Sequence, residues 1–346
     1  MEVLEIELGR IAGYALVALG LGLLLAGCGG TENVQAVGGA VARNTPRSAV
    51  SAAPREPANT PTPRSTGGEF VEPAGPGGSI VFMSNRGEYD NLYLLSLEDA
   101  RVGKLTTLAG IDAFPKVSPD GTRILYHSGT QSLLPEVIVL DASGSFNRLT
   151  ENDSGDLSPD WSPDGRRIVF TSDRDGDFDL CIMDADGTNQ RRLMEQEGVD
   201  LFAQWSPDGT QIVFTSDTRG NNDIYIVGAD GRNIRWLTSD PGQDEWARWS
   251  PDGTRLVFTS DRDGDGAIYV MSASGGGLVK LTDSRAFDSF PTWSPDGSHI
   301  AFASDRTGND EIWIMEADGS NPIQLTDNPA RDIAPNWTVF RYSAAQ

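Results

Sequence analysis

The chain has 346 residues, with 50 Asp plus Glu against 27 Lys plus Arg and a formal net charge of −23. So acidic a balance excludes electrostatic capture of nucleic acid or of an anionic bilayer surface, because counterion release needs clustered cations. Cys28 and Cys181 cannot make a disulfide scaffold, and with only His127 and His299 beside them a zinc site of linked Cys and His is excluded too.

In chain order, the first feature is an uncharged apolar run, Ile11 to Gly27, between Arg10 and Cys28. It is long for a secretory apolar region and short for a membrane span. The tetrad Leu25-Ala26-Gly27-Cys28 resembles the lipobox of bacterial lipoproteins. That resemblance implies a signal peptide over residues 1–27, cleavage before Cys28, and diacylglycerol on the Cys28 thiol, the route by which the chain meets a membrane. The alternative is an uncleaved anchor helix; both place the remainder outside the cytoplasm, at the cell membrane or the outer membrane. Glu2, Glu5 and Glu7 make the leader acidic where a basic start is expected, which fits translation beginning near Leu4 or Leu8. Gly29 and Gly30 follow the cysteine, so the aspartate that holds many diderm lipoproteins in the inner membrane is missing. In a diderm the resemblance therefore implies the outer membrane.

Residues 28–76 are rich in Pro, Ala, Ser and Thr, with Phe70 the single aromatic and arginines balanced by glutamates. Such a segment buries too little apolar surface to offset its chain entropy and reads as a disordered tether.

Residues 77–342 carry a strict repeat, and residues 343–346 form a short tail. Ser-Pro-Asp-Gly begins at Ser118, Ser162, Ser206, Ser250 and Ser294, 44 residues apart each time. The same spacing links Phe82, Tyr126, Phe170, Phe214, Phe258 and Phe302, and Leu105, Leu149, Leu193, Leu237, Leu281 and Leu325. Within the fifth copy, Ala247 to Trp249 ends a strand and Ser-Pro-Asp-Gly turns the chain. Arg255 to Ser260 and Ala267 to Met271 make two further strands, and a fourth ends at Leu281 and Thr282. A period of this length with four short strands predicts propeller blades. The first copy begins directly at Ser79 to Ser84, and its missing innermost strand is predicted at Ile333 to Phe340, where Trp337 falls 44 residues after Trp293. The expected fold is an all-β, six-bladed β-propeller, closed by the C-terminal strand and monomeric.

Trp-Ser-Pro-Asp-Gly, Ile-Val-Phe-Thr-Ser-Asp-Arg, Asp-Ile-Tyr, Asp-Ala-Asp-Gly and Leu-Thr together resemble the TolB-type WD-like propeller repeat. The resemblance implies a TolB-like propeller and a habit of binding partner proteins at the channel mouth; TolB proteins are periplasmic. It does not carry over TolB's N-terminal α/β domain, whose place the tether takes. The same repeat precedes hydrolase domains in the prolyl oligopeptidase family, yet no Gly-x-Ser-x-Gly elbow is present.

An aspartate stands ahead of each innermost strand: Asp112, Asp156, Asp200, Asp244, Asp288 and Asp332. Two residues on come Phe114, Ser158, Phe202, Trp246, Phe290 and Ala334. One reading is an acidic mouth with aromatic walls, suited to a cationic peptide or an envelope protein; the other is loop hydrogen bonding and blade packing. Blade two departs from the pattern, with Leu133 and Leu134 in place of loop acids, available to a partner or packed on a neighbouring loop. Asp173, Asp175 and Asp177, and Asp261, Asp263 and Asp265, have the alternation of a calcium loop without its closing Glu. Hairpin turns account for them equally well, and no cofactor other than calcium is indicated. His127, His299 and Cys181 make no catalytic constellation. The preferred function is a lipid-anchored, protein-binding propeller without chemistry of its own. A metal-assisted hydrolase or lyase at the channel mouth, or a self-assembling envelope protein, are the alternatives.

Overall fold

Residues 78–130, 133–283 and 285–338 are described by the computed structural model. The leader, Cys28, the tether and the C-terminal tail lie outside the described residues, and no helix long and apolar enough to cross a membrane occurs among those described.

Each Ser-Pro-Asp-Gly segment folds as a tight turn closed by its own side chains. Ser118 Oγ donates to Asp120 Oδ1 at 2.6 Å and accepts from the Arg123 amide at 2.9 Å, while the Gly121 amide donates to the Ser118 carbonyl at 2.8 Å. Gly121 sits at φ 72°, where a side chain would be strained. The turns beginning at Ser162, Ser206, Ser250 and Ser294 repeat this bonding. The serine hydroxyl is the main reason the Asp252 and Asp296 carboxyls are pushed down to about 2.

The turns deliver β-branched and aromatic runs into strands. In chain order these are β1 (Ser79–Ser84), β2 (Asn91–Ser96) and β3 (Val102–Lys104), then β4 (Ile111–Val117), β5 (Arg123–Thr130), β6 (Leu133–Asp141) and β7 (Phe146–Arg148). The third blade holds β8 (Asp156–Trp161), β9 (Arg167–Ser172), β10 (Asp179–Asp184) and β11 (Arg191–Arg192). The fourth holds β12 (Asp200–Trp205), β13 (Gln211–Ser216), β14 (Asp223–Gly228) and β15 (Arg235–Trp236). The fifth holds β16 (Asp244–Trp249), β17 (Arg255–Ser260), β18 (Ala267–Ser272) and β19 (Val279–Lys280), and the sixth β20 (Asp288–Trp293), β21 (His299–Ser304), β22 (Glu311–Glu316) and β23 (Ile323–Gln324). Last comes β24 (Asp332–Thr338).

These strands form six four-stranded antiparallel sheets, one per blade. Blade one runs β24-β1-β2-β3, with Ser79 opposite Thr338, Ile80 opposite Trp337 and Ser84 opposite Asp332. The ring is thus closed by the C-terminal strand supplying the innermost position, so β1 is paired on both sides and is not left as an edge. The protein is a six-bladed β-propeller.

Packing follows from period-two alternation, since each sheet presents one apolar face to either neighbour. Between blades three and four, Val169, Leu180 and Ile182 meet Trp205, Ile212 and Phe214. Equivalent clusters fill the other five junctions. Phe82, Tyr126, Phe170, Phe214, Phe258 and Phe302 are all buried. Burying each such ring stabilises the fold by about 2 to 3 kcal/mol before chain entropy is counted.

Candidate functional site

The innermost strands β4, β8, β12, β16, β20 and β24 stand around the propeller axis. Each breaks register with its neighbour at one point, and there a residue adopts the left-handed conformation: Phe114, Ser158, Phe202, Trp246, Phe290 and Ala334, with φ from 47° to 57°. A bulge of this kind re-aims its side chain, and the four aromatic ones meet across the axis. Trp246 and Phe290 have ring centroids 4.1 Å apart, Phe114 and Phe202 5.5 Å, and Phe202 and Trp246 5.8 Å. With Met83, Leu201 and Ile333 they form one buried apolar cluster. These residues are therefore a plug across the channel, and the expected aromatic walls of an open mouth are absent. Aromatic faces gain more by packing on one another than by lining water.

The six aspartates are not at an open rim either. Asp112, Asp156, Asp200, Asp244, Asp288 and Asp332 are all 0% exposed. In four blades the arginine of the Ser-x-Arg loop folds back onto the aspartate. Arg174 Nη2 donates to both carboxylate oxygens of Asp156 at 3.1 and 3.2 Å, Arg262 does the same to Asp244 at 2.8 and 2.9 Å, and Arg306 reaches Asp288 at 2.9 Å. Arg86 holds Asp332 in the same way. Each guanidinium also lies over the repeated phenylalanine of its blade, at 5.3 to 5.7 Å. The cation that the sequence assigned to an incoming peptide is thus already supplied from within, because a fully buried carboxylate needs a partner in place during folding.

Blades two and four have Thr130 and Thr218 at the arginine position. Asp112 accepts from Asn91 at 3.3 Å and Asp200 from Gln196 at 2.6 Å, and one oxygen of each carboxylate has no partner among the described residues. Burial pushes Asp112 up and drives Asp200 to about 7. His127 packs on Phe114 with ring centroids 5.6 Å apart and accepts from the Ser158 amide through Nδ1 at 3.1 Å. Burial lowers it to about 3, so it is a neutral part of the plug. Cys181 is fully buried, its thiol pushed up to about 12 by burial.

The acidic loops use their carboxylates locally. Asp173 Oδ1 accepts from the Gly155 amide at 2.8 Å and Asp261 Oδ1 from the Gln243 amide at 2.6 Å, while Asp263 accepts from Tyr269 and pairs with Lys280 at 3.2 Å. Among the described residues no three Asp, Glu, His or Cys converge as metal ligands, those of 173–177 and 261–265 included.

The blade-two hairpin is the open site. Strands β5 and β6 are longer than their counterparts in the other blades, and Thr130 pairs with Leu133 beyond a bulge. Gly129 is needed at the base of the hairpin, since a Cβ there would lie 2.9 Å from Pro135 Cα. Leu133 and Leu134 are 59% and 51% exposed. They overlook a groove of about 540 Å³ floored by Leu108, Ile138 and Phe146, with Arg148, Glu151 and Asp153 on its rim. What the sequence pattern missed here is the floor, which comes from three separate segments.

Comparison with known proteins agrees with this architecture. The TolB beta propeller domain family matches residues 131–244 and 202–286. No curated protein sequence matches the chain. Among solved structures, TolB from Acinetobacter baumannii aligns with a TM-score of 0.68 at 23% identity, covering 75% of this chain and 66% of that one, a little under two thirds of its length. A putative TolB from Agrobacterium tumefaciens aligns at 0.61 and 20% identity, covering 78% and 92%. An oligogalacturonate lyase from Vibrio parahaemolyticus aligns at 0.52 and 16%, covering 72% and 74%, so the same fold also serves an enzyme. The chain is a TolB-like six-bladed β-propeller.

Proposed function

We propose that this chain is an extracytoplasmic propeller, anchored through lipid on Cys28, that binds a partner protein in the groove of blade two. The observation that carries the reading is the pair Leu133 and Leu134, adjacent, exposed, and set above an apolar groove. Exposed leucines over a concave floor form the apolar centre of a peptide-binding surface, and the polar residues around them form its rim. Glu151 and Asp153 on that rim, on a chain of net charge −23, favour an apolar segment flanked by Lys or Arg. The TolB-like fold supports the binding role, and the resemblance to TolB supports the compartment. With the axial aspartates buried and the aromatics packed on one another, the groove is the better candidate than the channel mouth.

A displayed peptide library panned against the detergent-solubilised chain tests this reading. The enriched peptides are expected to carry two or more apolar residues beside basic ones. Their affinity should fall at least tenfold in a Leu133→Asp/Leu134→Asp variant whose melting temperature is unchanged. Enrichment of acidic peptides, or full affinity in the double variant, would refute the reading.

A further inference from the structure

In blade three the arginine slot is full. Arg174 donates from Nε to Ser172 Oγ at 2.8 Å, from Nη1 to Gln190 Oε1 at 3.1 Å and from Nη2 to Asp156, and its guanidinium lies 5.3 Å from the centre of the Phe170 ring. Blades five and six repeat the bond to serine at 2.8 Å, Arg262 to Ser260 and Arg306 to Ser304. The strand pairings give each of these contacts a counterpart in blade two. Asp112 stands opposite Ser128 as Asp156 stands opposite Ser172, and Tyr126 opposite Ile138 as Phe170 opposite Cys181. Arg148 pairs with Ile138 as Arg192 does with Cys181, so Phe146 falls at the level of Gln190.

The arginine itself is replaced by Thr130, and the space stays open. Ser128, Thr130, Ile138 and Phe146 all line the groove of about 540 Å³, so the groove takes up the space that an arginine side chain fills in four other blades. Blade four also lacks the arginine, but there Gln196 Nε2 bonds both Asp200 Oδ1 at 2.6 Å and Ser216 Oγ at 2.9 Å, the acceptors a guanidinium would use. The residue at that position in blade two is Leu108, whose side chain has no donor. Asp112 is fully buried, with the Asn91 amide on one oxygen and no partner on the other among the described residues. Such a carboxylate is stabilised by an arriving cation far more than a solvated acid at the rim would be. The lining adds Glu136, Glu151 and Asp153 against Arg148 alone.

We propose that the blade-two groove takes an arginine side chain of the partner protein, which enters the slot left by Thr130 and pairs with Asp112. The proposal rests on the groove being the binding site and names what selects its occupant. The slot is suited to arginine as the filled blades are: Nε on the serine hydroxyl, the Nη fork on the carboxylate, and the planar face on an aromatic ring, here Tyr126. Lysine has neither the fork nor the plane. Exposed Leu133 and Leu134 then meet the apolar residues beside that arginine in the partner segment.

The test is calorimetric binding of acetyl-Leu-Arg-Leu-amide to the detergent-solubilised full chain, beside the same peptide with lysine or with citrulline, a neutral isostere of arginine. The arginine peptide is expected to bind at least tenfold more tightly than either. In Asp112→Asn that preference should vanish through loss of arginine-peptide affinity alone, the citrulline peptide binding as it does to the wild type. Thr130→Arg, which refills the slot from within, should raise the melting temperature and abolish the preference as well. Equal affinity for the arginine peptide and either of the others, or an unchanged preference in Asp112→Asn, would overturn the arginine slot, and the groove would still stand if Leu133→Asp/Leu134→Asp weakens all three peptides. Undiminished binding to that double variant, or no binding by any of the three peptides, would instead bring down the groove and the slot with it.

Discussion

An aspartate that recurs at a fixed spacing in an acidic chain invites reading as surface charge, yet all six are buried and four are paired by an arginine of their own blade. The signal for that pairing is in the sequence. Arg86, Arg174, Arg262 and Arg306 keep the same period as the aspartates and are missing from blades two and four alone. What hid it is that the loop after the second strand and the start of the inner strand share one end of the blade, a relation visible only once the sheet is built. The unpaired cases behave differently with pH. The folded value of Asp200, about 7, lies above its unfolded value, so the folded chain holds an extra proton and stability falls as pH rises from about 4 through 7. Asp200→Asn is expected to gain on the wild type across that window, by at most about 4 kcal/mol, with the smallest gap below pH 4. Guanidinium unfolding at pH 4, 6 and 8 measures this, and a gap independent of pH would contradict it. Arg262→Met should behave oppositely in sign, losing about 3 kcal/mol or more at pH 7 because Asp244 is left buried without its cation.

Among the elements, the Ser-Pro-Asp-Gly turns were legible in full, since each residue meets one local requirement of the turn. Ser206→Ala removes both the donor to Asp208 and the acceptor for the Gln211 amide, and should cost about 1 kcal/mol in denaturant unfolding at neutral pH. A variant as stable as the wild type would mean water replaces the hydroxyl without loss. The blade-two hairpin was legible as a departure but its geometry was not. Ser128 pairs with Glu136 where Ser172 pairs with Asp179, so the hairpin has one extra residue. The extra residue is offset after the next turn, at the point where Asn189, Asn233 and Asn321 adopt left-handed conformations in other blades. The 44-residue count survives this exchange, which is why periodicity alone could not reveal it.

For the whole molecule, six blades and a C-terminal closing strand follow from the placing of Trp337 relative to Trp293, because an inner strand absent at one end of a ring must come from the other. A chain ending at Asn328 loses β24, the partner of Arg86, and the Trp337 contact with the blade-six junction. It is expected to expose β1 as an edge and to aggregate on sizing chromatography rather than elute as a monomer. A monomer melting with the full chain would show that closure is dispensable.

The seam of blade one also bears on how the chain is threaded. Antiparallel pairing of Ser79 with Thr338 sets the two ends of the described ring side by side on one sheet. A short linker from 338 to 79, with a new opening between Asp208 and Gly209, therefore yields a permuted chain with the same six sheets. Architecture is then indifferent to where the polypeptide starts, while the order of assembly is not: the pairing of most distant residues, today made at blade one, moves to blade four. Refolding rates of the two chains, compared at matched stability, would report the kinetic weight of that single joint.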